Sequence, residues 1–437
     1  MAVQVGAEGW SRSNRLTEWM TKLNLIGSPY PHETARTRTA AASRMGGQRR
    51  SQEIAKPMLL FASSEAGGIA EYIHAQAVEL GRRGLRCVVL CTRGFLPDRG
   101  HVDYEVLPGL VRLSKTLPPG LVRKLALAAE ICIRPWQLIW FIIRMRPRFV
   151  LIEAPNEQLS FLWVWPHLLA ARVFGVRYFV DIGDPLRNRL FGPEWLHVAS
   201  VWLSYSFVSA GLIHYIGENR PEWIPDHVQL IEVPMGPLRL SMNGVSRDWF
   251  RRQRGIPNDY VLFLSFGHIA NRKNIDLFIR AMRSFPRASL LVAGSVASTR
   301  DRPGAYYRAL AEELGLGERV FVEERFVPNE EIGGYFEAAE MIALPYNGAY
   351  LSQSGVPYLA LHWDKPLLVS AGPGPLLTCV ERFKLGVIVE PDSETALKEG
   401  IQKMLNHEIP VPDWEGFRKE ASWELNIDRL LEHADRA

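Results

Sequence analysis

Cysteines are few, and their spacing argues against a disulfide scaffold. The 437 residues include four cysteines, and no Cys-x-x-Cys pair occurs among them. Cys87 and Cys91 lie in one predicted strand, where a separation of roughly 13 Å at ~3.3 Å per residue is too long for a disulfide. We therefore expect these two, with Cys132 and Cys379, to be buried free thiols in a reducing, cytoplasmic compartment.

Motifs for metal and cofactor binding are also missing. No Asp-x-Asp sequence occurs, so a divalent cation that bridges to a nucleotide lacks its usual carboxylate pair. Histidines and cysteines never fall at zinc-ligand spacing, and neither a Gly-x-Gly-x-x-Gly nor a Walker loop is present. The sequence therefore predicts no resident metal ion and no tightly bound cofactor.

Positive charge is concentrated before the predicted folded part. Residues 1–57 contain nine Lys or Arg and four Asp or Glu, a balance of +5. Because the whole chain has a formal charge of +4, everything after Pro57 carries −1. A folded body near neutrality lacks the basic surface that nucleic-acid binding requires, so nucleic acid is not predicted as a partner.

Residues 1–57 are predicted to be an extension outside the fold. Thr34–Arg50 is rich in Arg, Ser, Thr and Ala and has no acidic residue, a composition typical of organelle-targeting segments. Two other interpretations stay open: a disordered tail, or translation drawn from too early a start, with Met45 or Met58 as the first residue.

Leu121–Met145 is the one strongly apolar helical segment, and charges interrupt it. An uninterrupted stretch of ~20 apolar residues is missing, which disfavours a membrane span. The interrupting residues are Arg123, Lys124, Glu130, Arg134, Pro135 and Arg144. With Trp136 and Trp140 beside its arginines, the segment fits either a helix on an anionic bilayer surface or a core helix with one wet edge.

Alternating strand and helix patterns predict two α/β domains, each with a doubly wound parallel sheet. Residues 58–235 form the first domain, residues 236–413 the second, and residues 414–437 an amphipathic C-terminal helix. The predicted strands of the first domain are 58–63, 86–92, 102–107, 149–153, 176–181, 212–216 and 228–233. Those of the second domain are 261–266, 290–293, 320–323, 341–344, 366–369 and 387–389. Pro234-Met235-Gly236-Pro237 interrupts the pattern and marks the junction.

The first strand-to-helix joint of the second domain has the residues of an anion site. Gly267 follows the apolar run Val261–Phe266 and lets the backbone turn tightly. Arg272 and Lys273 then supply positive charge where a helix begins, and the free N–H groups of a helix start favour anions. The pattern indicates a site for a diphosphate, although a solvated helix start has the same residues.

A second joint, Tyr346–Gly355, follows the strand at 341–344. Ser354 is predicted to be an N-cap or first-turn residue. Gly355 has no side chain to keep backbone N–H groups away from a pyrophosphate. A simple helix cap is the alternative.

The order of these stretches resembles the C-terminal domain of family-four type glycosyltransferases of the GT-B architecture. Three stretches carry the resemblance: Phe266–Lys273, Phe326–Tyr346 and Ser354–Val369. The resemblance implies two Rossmann-like domains that face each other across a cleft, with a C-terminal helix that crosses back to the first domain. It also implies a metal-independent transfer of a hexose-type sugar from a nucleotide diphosphate sugar, the substrate, to a glycan or lipid-linked acceptor at the inner face of the membrane.

Residue by residue, the resemblance makes Lys273 the phosphate-binding lysine, with Arg272 beside it. Gly67 and Gly68 resemble the glycine pair of the first domain's opening loop. Two departures stand out. His268 occupies a position where many relatives carry arginine, and the two glutamates that many relatives place eight residues apart are missing, since no acidic residue occurs from Pro345 to Trp363. A catalytically silent scaffold or nucleotide-sensing subunit, and a nucleotide-sugar epimerase, are therefore alternatives.

Acidic residues near the acceptor are expected in the first domain. Asp181 and Asp184, in Asp-Ile-Gly-Asp-Pro, follow a predicted strand, and Asp184 is the first candidate for contact with sugar or acceptor. Glu153 and Glu157 sit at another strand end with a weaker claim. Capping of a turn before proline is the alternative for the aspartates.

Overall fold

A computed structural model describes residues 56–436, except residues 66, 97–101, 119, 154–155, 183–192, 215–219, 221–222 and 239–243. The predicted extension falls almost wholly outside the described residues, as does Asp184. The described chain divides into two compact units. The first unit comprises residues 56–182 and 193–232 and takes up the chain end from Arg429, and the second is Val233–Asp428.

The first unit is built on a seven-stranded parallel sheet. The strands follow the order β3-β2-β1-β4-β5-β6-β7 and span β1 Met58–Phe61, β2 Cys87–Leu90, β3 Glu105–Leu107, β4 Phe149–Glu153, β5 Arg177–Asp181, β6 Ala210–Ile213 and β7 Gln229–Glu232. Its central strands are buried along their whole length, as expected of parallel strands covered on both faces. Chain order reverses between β1 and β4, which pair directly.

In the described part of this unit, four helices accompany the sheet: α1 Gly68–Arg82, α2 Leu121–Met145, α3 Val164–Phe174 and α4 Glu194–Ser204. Helices α2, α3 and α4 share one hydrophobic core with alternate residues of β1, β2, β4 and β5, so they form one layer on one sheet face. In α2 the buried stripe is Pro135, Leu138, Ile139 and Ile142. By length and composition α2 could cross a membrane, yet this stripe packs it against the sheet.

The second unit has a six-stranded parallel sheet of order β10-β9-β8-β11-β12-β13. Its strands are β8 Val261–Phe266, β9 Ala288–Gly294, β10 Val320–Glu324, β11 Met341–Pro345, β12 Leu367–Ser370 and β13 Gly386–Ile388. The helices are α5 Arg247–Arg254, α6 Ile275–Ala281, α7 Gly304–Glu313, α8 Asn329–Ala338, α9 Val356–Ala360, α10 Pro375–Arg382, α11 Glu394–Leu405 and α12 Trp414–Glu420. The predicted fold class of two Rossmann-like parallel-sheet domains is thus present.

The predicted single C-terminal helix is wrong in detail. Two helices are present, α12 and α13 Trp423–Arg436. Ala421 and Ser422 separate them, and Ser422 Oγ accepts a hydrogen bond from the backbone N–H of Leu425 at the start of the new helix. Only the chain from Arg429 belongs to the first unit, where the Arg429 guanidinium donates to the carbonyl of Glu232.

Candidate functional site

The site lies where chain order reverses in the second sheet. Strands β8 and β11 are neighbours, although β9 and β10 come between them in sequence. In open α/β sheets ligands bind at the carboxyl ends of strands at this switch point, because the following connections leave in opposite directions. The two predicted joints are the loops that follow β8 and β11.

The loop after β8 holds an amine in a buried position. Gly267 turns the chain with φ of 89°, in the left-handed region that glycine tolerates best. A short 3-10 turn, Asn271–Lys273, comes before α6, so Lys273 precedes the helix instead of opening it. Its side chain folds back, and Nζ donates to the carbonyl of Phe266, 2.5 Å away. Only 4% of Lys273 is exposed.

Burial makes this amine easy to deprotonate. Desolvation, and secondarily the neighbouring charge of Arg272, lowers the pKa of Lys273 to about 7. The Lys273 Nζ lies 5.7 Å from the ring centroid of Tyr346. A bound anion would raise the pKa of Lys273 again, because a nearby negative charge favours the protonated amine. The Lys273 amine is thus placed to become fully charged when an anion binds beside it.

The loop after β11 contributes hydroxyl groups. The Tyr346 hydroxyl and the Ser354 Oγ lie 3.3 Å apart, and both residues are buried. Gly355 is the N-cap of α9, and Ser354 Oγ accepts from the N–H of Val356. Burial raises the pKa of Tyr346, so the hydroxyl stays protonated and able to donate.

Backbone and carboxylate contacts hold the two loops together. The N–H of Asn347 donates to the carbonyl of Arg272 over 2.9 Å. Asp392 accepts from the Asn274 side chain at one carboxylate oxygen and from the Gly348 N–H at the other, each over 2.8 Å. Both Asp392 oxygens are therefore engaged in joining the two loops. Sequence reasoning missed Asp392, which lies far along the chain.

The rim of the site carries exposed basic groups. His268 is exposed, and desolvation together with the charges of Lys273 and Arg272 lowers its pKa, so it is neutral at pH 7. The Arg272 guanidinium lies 5.6 Å from the ring centroid of Tyr350. In the described residues no group of three or more His, Cys, Asp or Glu side chains is arranged to hold a metal ion.

Residues 246–421 match the sequence profile of the family described as Glycosyl transferases group 1. The match contains both loops of the site, and it confirms the predicted resemblance to GT-B fold glycosyltransferases.

Other comparisons cover more of the glycosyltransferase-like chain. It is 25% identical to a D-inositol 3-phosphate glycosyltransferase of Corynebacterium efficiens over 350 residues, 75% of this chain and 79% of the relative. It is 28% identical to the lipopolysaccharide glucosyltransferase WaaG of Escherichia coli over 189 residues, 41% of this chain and 47% of WaaG.

A solved structure, Anabaena Alr3699/HepE in complex with UDP and glucose, matches with a TM-score of 0.58 over 87% of this chain and 99% of that protein, at 16% identity. This likeness shows the fold, a pair of Rossmann-like domains, and confirms the predicted fold class.

In the first unit the glycosyltransferase prediction placed Gly67 and Gly68 at the opening loop. Gly67 is the N-cap of α1 with φ of 82°, and an added Cβ at either glycine would meet open space. Glu65, earlier in the same loop, accepts from Lys115 and Thr92. Although burial would raise the pKa of Glu65, these hydrogen bonds hold it below its usual value.

Two carboxyl groups meet at the ends of β4 and β5. Glu153 and Asp181 are register partners, and each is at most 5% exposed. Burial raises the pKa of both; the Asp181 charge adds to the effect on Glu153, and His214 and a Tyr72 hydrogen bond moderate it for Asp181. Glu153 Oε1 and Asp181 Oδ2 find no hydrogen-bond partner among the described residues. Burial and the closeness of two like charges therefore both favour protonation of this pair.

The structure shows where three of the four acidic residues proposed from the sequence lie. The structure brings Asp181 together with Glu153, which the sequence ranked lower, and adds His214 directly after β6. Glu153 and Asp181 end consecutive strands, β4 and β5, and only the pairing of these strands shows that the two residues meet. Glu157 instead accepts a hydrogen bond from the buried Tyr205 hydroxyl and so has a packing role. Asp184 remains a prediction.

A basic cavity of about 460 Å³ opens beyond the ends of β2 and β3. Arg93, Arg112 and Lys115 line it, against the single carboxylate of Glu65. Because Glu65 is already paired with Lys115, the net charge of the lining is positive. The sequence pattern did not indicate this cavity.

Proposed function

We propose that the protein is a glycosyltransferase whose second unit binds the diphosphate of a nucleotide sugar. The buried Lys273 amine at the β8–β11 switch point, inside the family match, carries the proposal. During transfer the departing diphosphate gains negative charge as the sugar carbon becomes cation-like. A preorganised ammonium group, flanked by Arg272 and the hydroxyl groups of the β11 loop, stabilises that charge without reorganisation.

Calorimetric titration of the full chain with UDP, GDP, ADP and their sugar conjugates tests the proposal. One nucleotide is expected to bind, and Lys273→Ala to weaken it at least about tenfold, the usual value of a charged hydrogen bond. Lys403→Ala, an exposed lysine of α11, is the matched control. Absence of binding for every nucleotide, or wild-type affinity in Lys273→Ala, would contradict the proposal.

The proposed donor site requires neither a metal ion nor a cofactor, since Lys273 and Arg272 supply the positive charge. Transfer is expected to persist in EDTA. A loss of turnover in EDTA that Mg²⁺ or Mn²⁺ restores would contradict this part of the proposal.

For the acceptor we propose a hexose-accepting glycan or lipid-linked compound held by the first unit, in the cytoplasm at the inner membrane face. The basic cavity supports an acceptor that bears an anionic group. The double variant Arg93→Ser/Arg112→Ser is then expected to raise the KM for the acceptor while the donor Kd stays unchanged. An unchanged acceptor KM would exclude the cavity from acceptor binding.

A catalytically silent scaffold is the second candidate. Its support is the exposed neutral His268 and the β11 loop without a carboxylate. Donor binding without transfer or donor hydrolysis by the purified chain, against a panel of anionic and neutral acceptors, is the outcome that favours it. Isomerisation of the donor sugar without acceptor would instead indicate an epimerase.

A further inference from the structure

The outer surface of the α2–α3–α4 layer is strongly apolar. Of the 21 large hydrophobic side chains exposed in the described residues, 15 lie between Leu121 and Trp195. A helix that covers a sheet normally presents polar residues to solvent. Large contiguous apolar patches on a folded domain mark interaction sites.

The exposed side chains follow helical periodicity, so they form stripes instead of scattered points. On α2 the stripe is Leu125, Ile133, Trp136, Trp140 and Ile143, on a different side of the helix from the buried stripe. On α3 it is Trp165, Leu169 and Val173, and α4 adds the exposed Trp195. We call these nine residues the apolar face. Since the three helices share one core, their outer stripes belong to one layer.

Charge on α2 and α3 has one sign, whereas α4 adds the exposed Glu194 beside Trp195. Between residues 121 and 174 all acidic residues, Glu130, Glu153 and Glu157, are buried. The exposed charged residues of the same segment are all basic: Arg123, Lys124, Arg144, Arg146 and Arg172. Glu130 is paired internally with Arg134 and accepts from backbone N–H groups, so it adds no negative charge outside.

We propose that the apolar face is a docking surface for an anionic lipid bilayer, on which α2 lies parallel to the membrane plane. Three observations favour a bilayer over a second copy. Tryptophans prefer the headgroup region, where an apolar ring and an N–H are both satisfied. Basic side chains around an apolar stripe complement anionic headgroups, whereas two copies would bring like charges together. A helix of 25 residues offers a platform of roughly 38 Å at ~1.5 Å per residue.

The proposal extends beyond the segment 121–145, because α3 and α4 supply four of the nine residues. It also assigns α2 an orientation: the buried stripe holds it against the sheet, so it lies on the bilayer and does not cross it. It is independent of sugar transfer, since lipid binding can be measured without a substrate.

Sedimentation of the full chain with vesicles of phosphatidylcholine and phosphatidylglycerol tests the proposal. Wild type is expected to bind, with affinity that falls as salt rises. Trp136→Asn/Trp165→Asn is expected to bind at least about tenfold more weakly, because binding scales with buried apolar area. Trp249→Asn, an exposed tryptophan of α5 in the other unit, should bind like wild type.

A second pair of variants tests the charge. Arg123→Glu/Lys124→Glu is expected to weaken binding at least about twentyfold on anionic vesicles, since each surface charge contributes about fivefold. Unchanged melting temperature and donor affinity would show that each variant folds. Failure of wild type to bind vesicles, equal binding by all variants, or self-association that the tryptophan substitutions abolish would each overturn the proposal.

Discussion

The two sheets place different titratable groups at equivalent points, acidic groups in the first sheet and an amine in the second. Each unit reverses its strand order between two neighbouring strands, β1 and β4 in one and β8 and β11 in the other. Near the first reversal lie the buried carboxyl groups of Glu153 and Asp181, whereas the second holds the buried amine of Lys273. Burial pushes all three groups toward their neutral forms. The shared topology thus creates a crevice at each reversal of strand order. The residue types decide whether that crevice favours binding of an anion or uptake of a proton.

The largest expected effect comes from removal of the amine. In Lys273→Ala, kcat/KM for sugar transfer is expected to fall about 10²–10³-fold, as when one preorganised donor to a developing anion is removed. Asp181→Asn should change it less if the carboxyl pair only supports the fold. A steady-state assay on both variants decides, and an equal or larger loss in Asp181→Asn would make the carboxyl pair part of the catalytic machinery.

The pKa of the amine predicts a pH dependence for donor binding. With the pKa of Lys273 at about 7, the side chain is already protonated at lower pH. Above that value Lys273 must take up a proton from solvent when the nucleotide sugar binds. The affinity for the nucleotide sugar should therefore fall by up to about tenfold per pH unit. Calorimetric Kd values at several pH values measure this.

Lys273→Arg provides the control for that titration. An arginine stays charged throughout the range, so its donor affinity should be nearly flat with pH, whatever its absolute value. A pH profile in the arginine variant that parallels wild type would assign the titration to another group.

The carboxyl pair predicts that the stability of the fold also falls as pH rises. Folding raises the pKa of Glu153, so the folded state binds the extra proton and stability falls as pH rises through this range. Glu153→Gln keeps a neutral side chain and is expected to raise Tm at mildly alkaline pH by about 2–4 °C, the shift for ~1 kcal/mol. Tm curves against pH, with Glu157→Gln as comparison, test whether the slope flattens.

The smallest expected effect is the difference in stability between alanine substitutions in the two glycine-containing loops. Gly267→Ala places a side chain at φ of 89°, with its Cβ 3.5 Å from Lys273 Nζ, which is expected to destabilise by about 1 kcal/mol and to weaken donor binding. At Gly68 an added Cβ meets open space, so Gly68→Ala should alter stability little. Thermal denaturation and calorimetry of both variants test this. A larger loss of stability in Gly68→Ala than in Gly267→Ala would contradict the prediction.

Local pattern was sufficient for much of the fold. Strand β8 and helix α2 begin and end at the predicted residues, because a buried apolar run and a helical stripe are properties of neighbouring residues. The same locality explains one error. Residues 414–433 continue an apolar period, so one helix was predicted, but a cap at Ser422 starts a new helix at Trp423.

The sequence by itself determined the two alternating strand–helix domains, the glycine turn and the lysine of the β8 loop, since each depends on residues close together in the chain. Only the tertiary structure decided that Asp392 braces that loop, that Glu153 meets Asp181, and that α2, α3 and α4 expose one apolar face. These depend on which strands become neighbours and which helix faces the sheet covers. Burial, which sets the pKa of Lys273 and of the carboxyl pair, is likewise a property of the assembled fold.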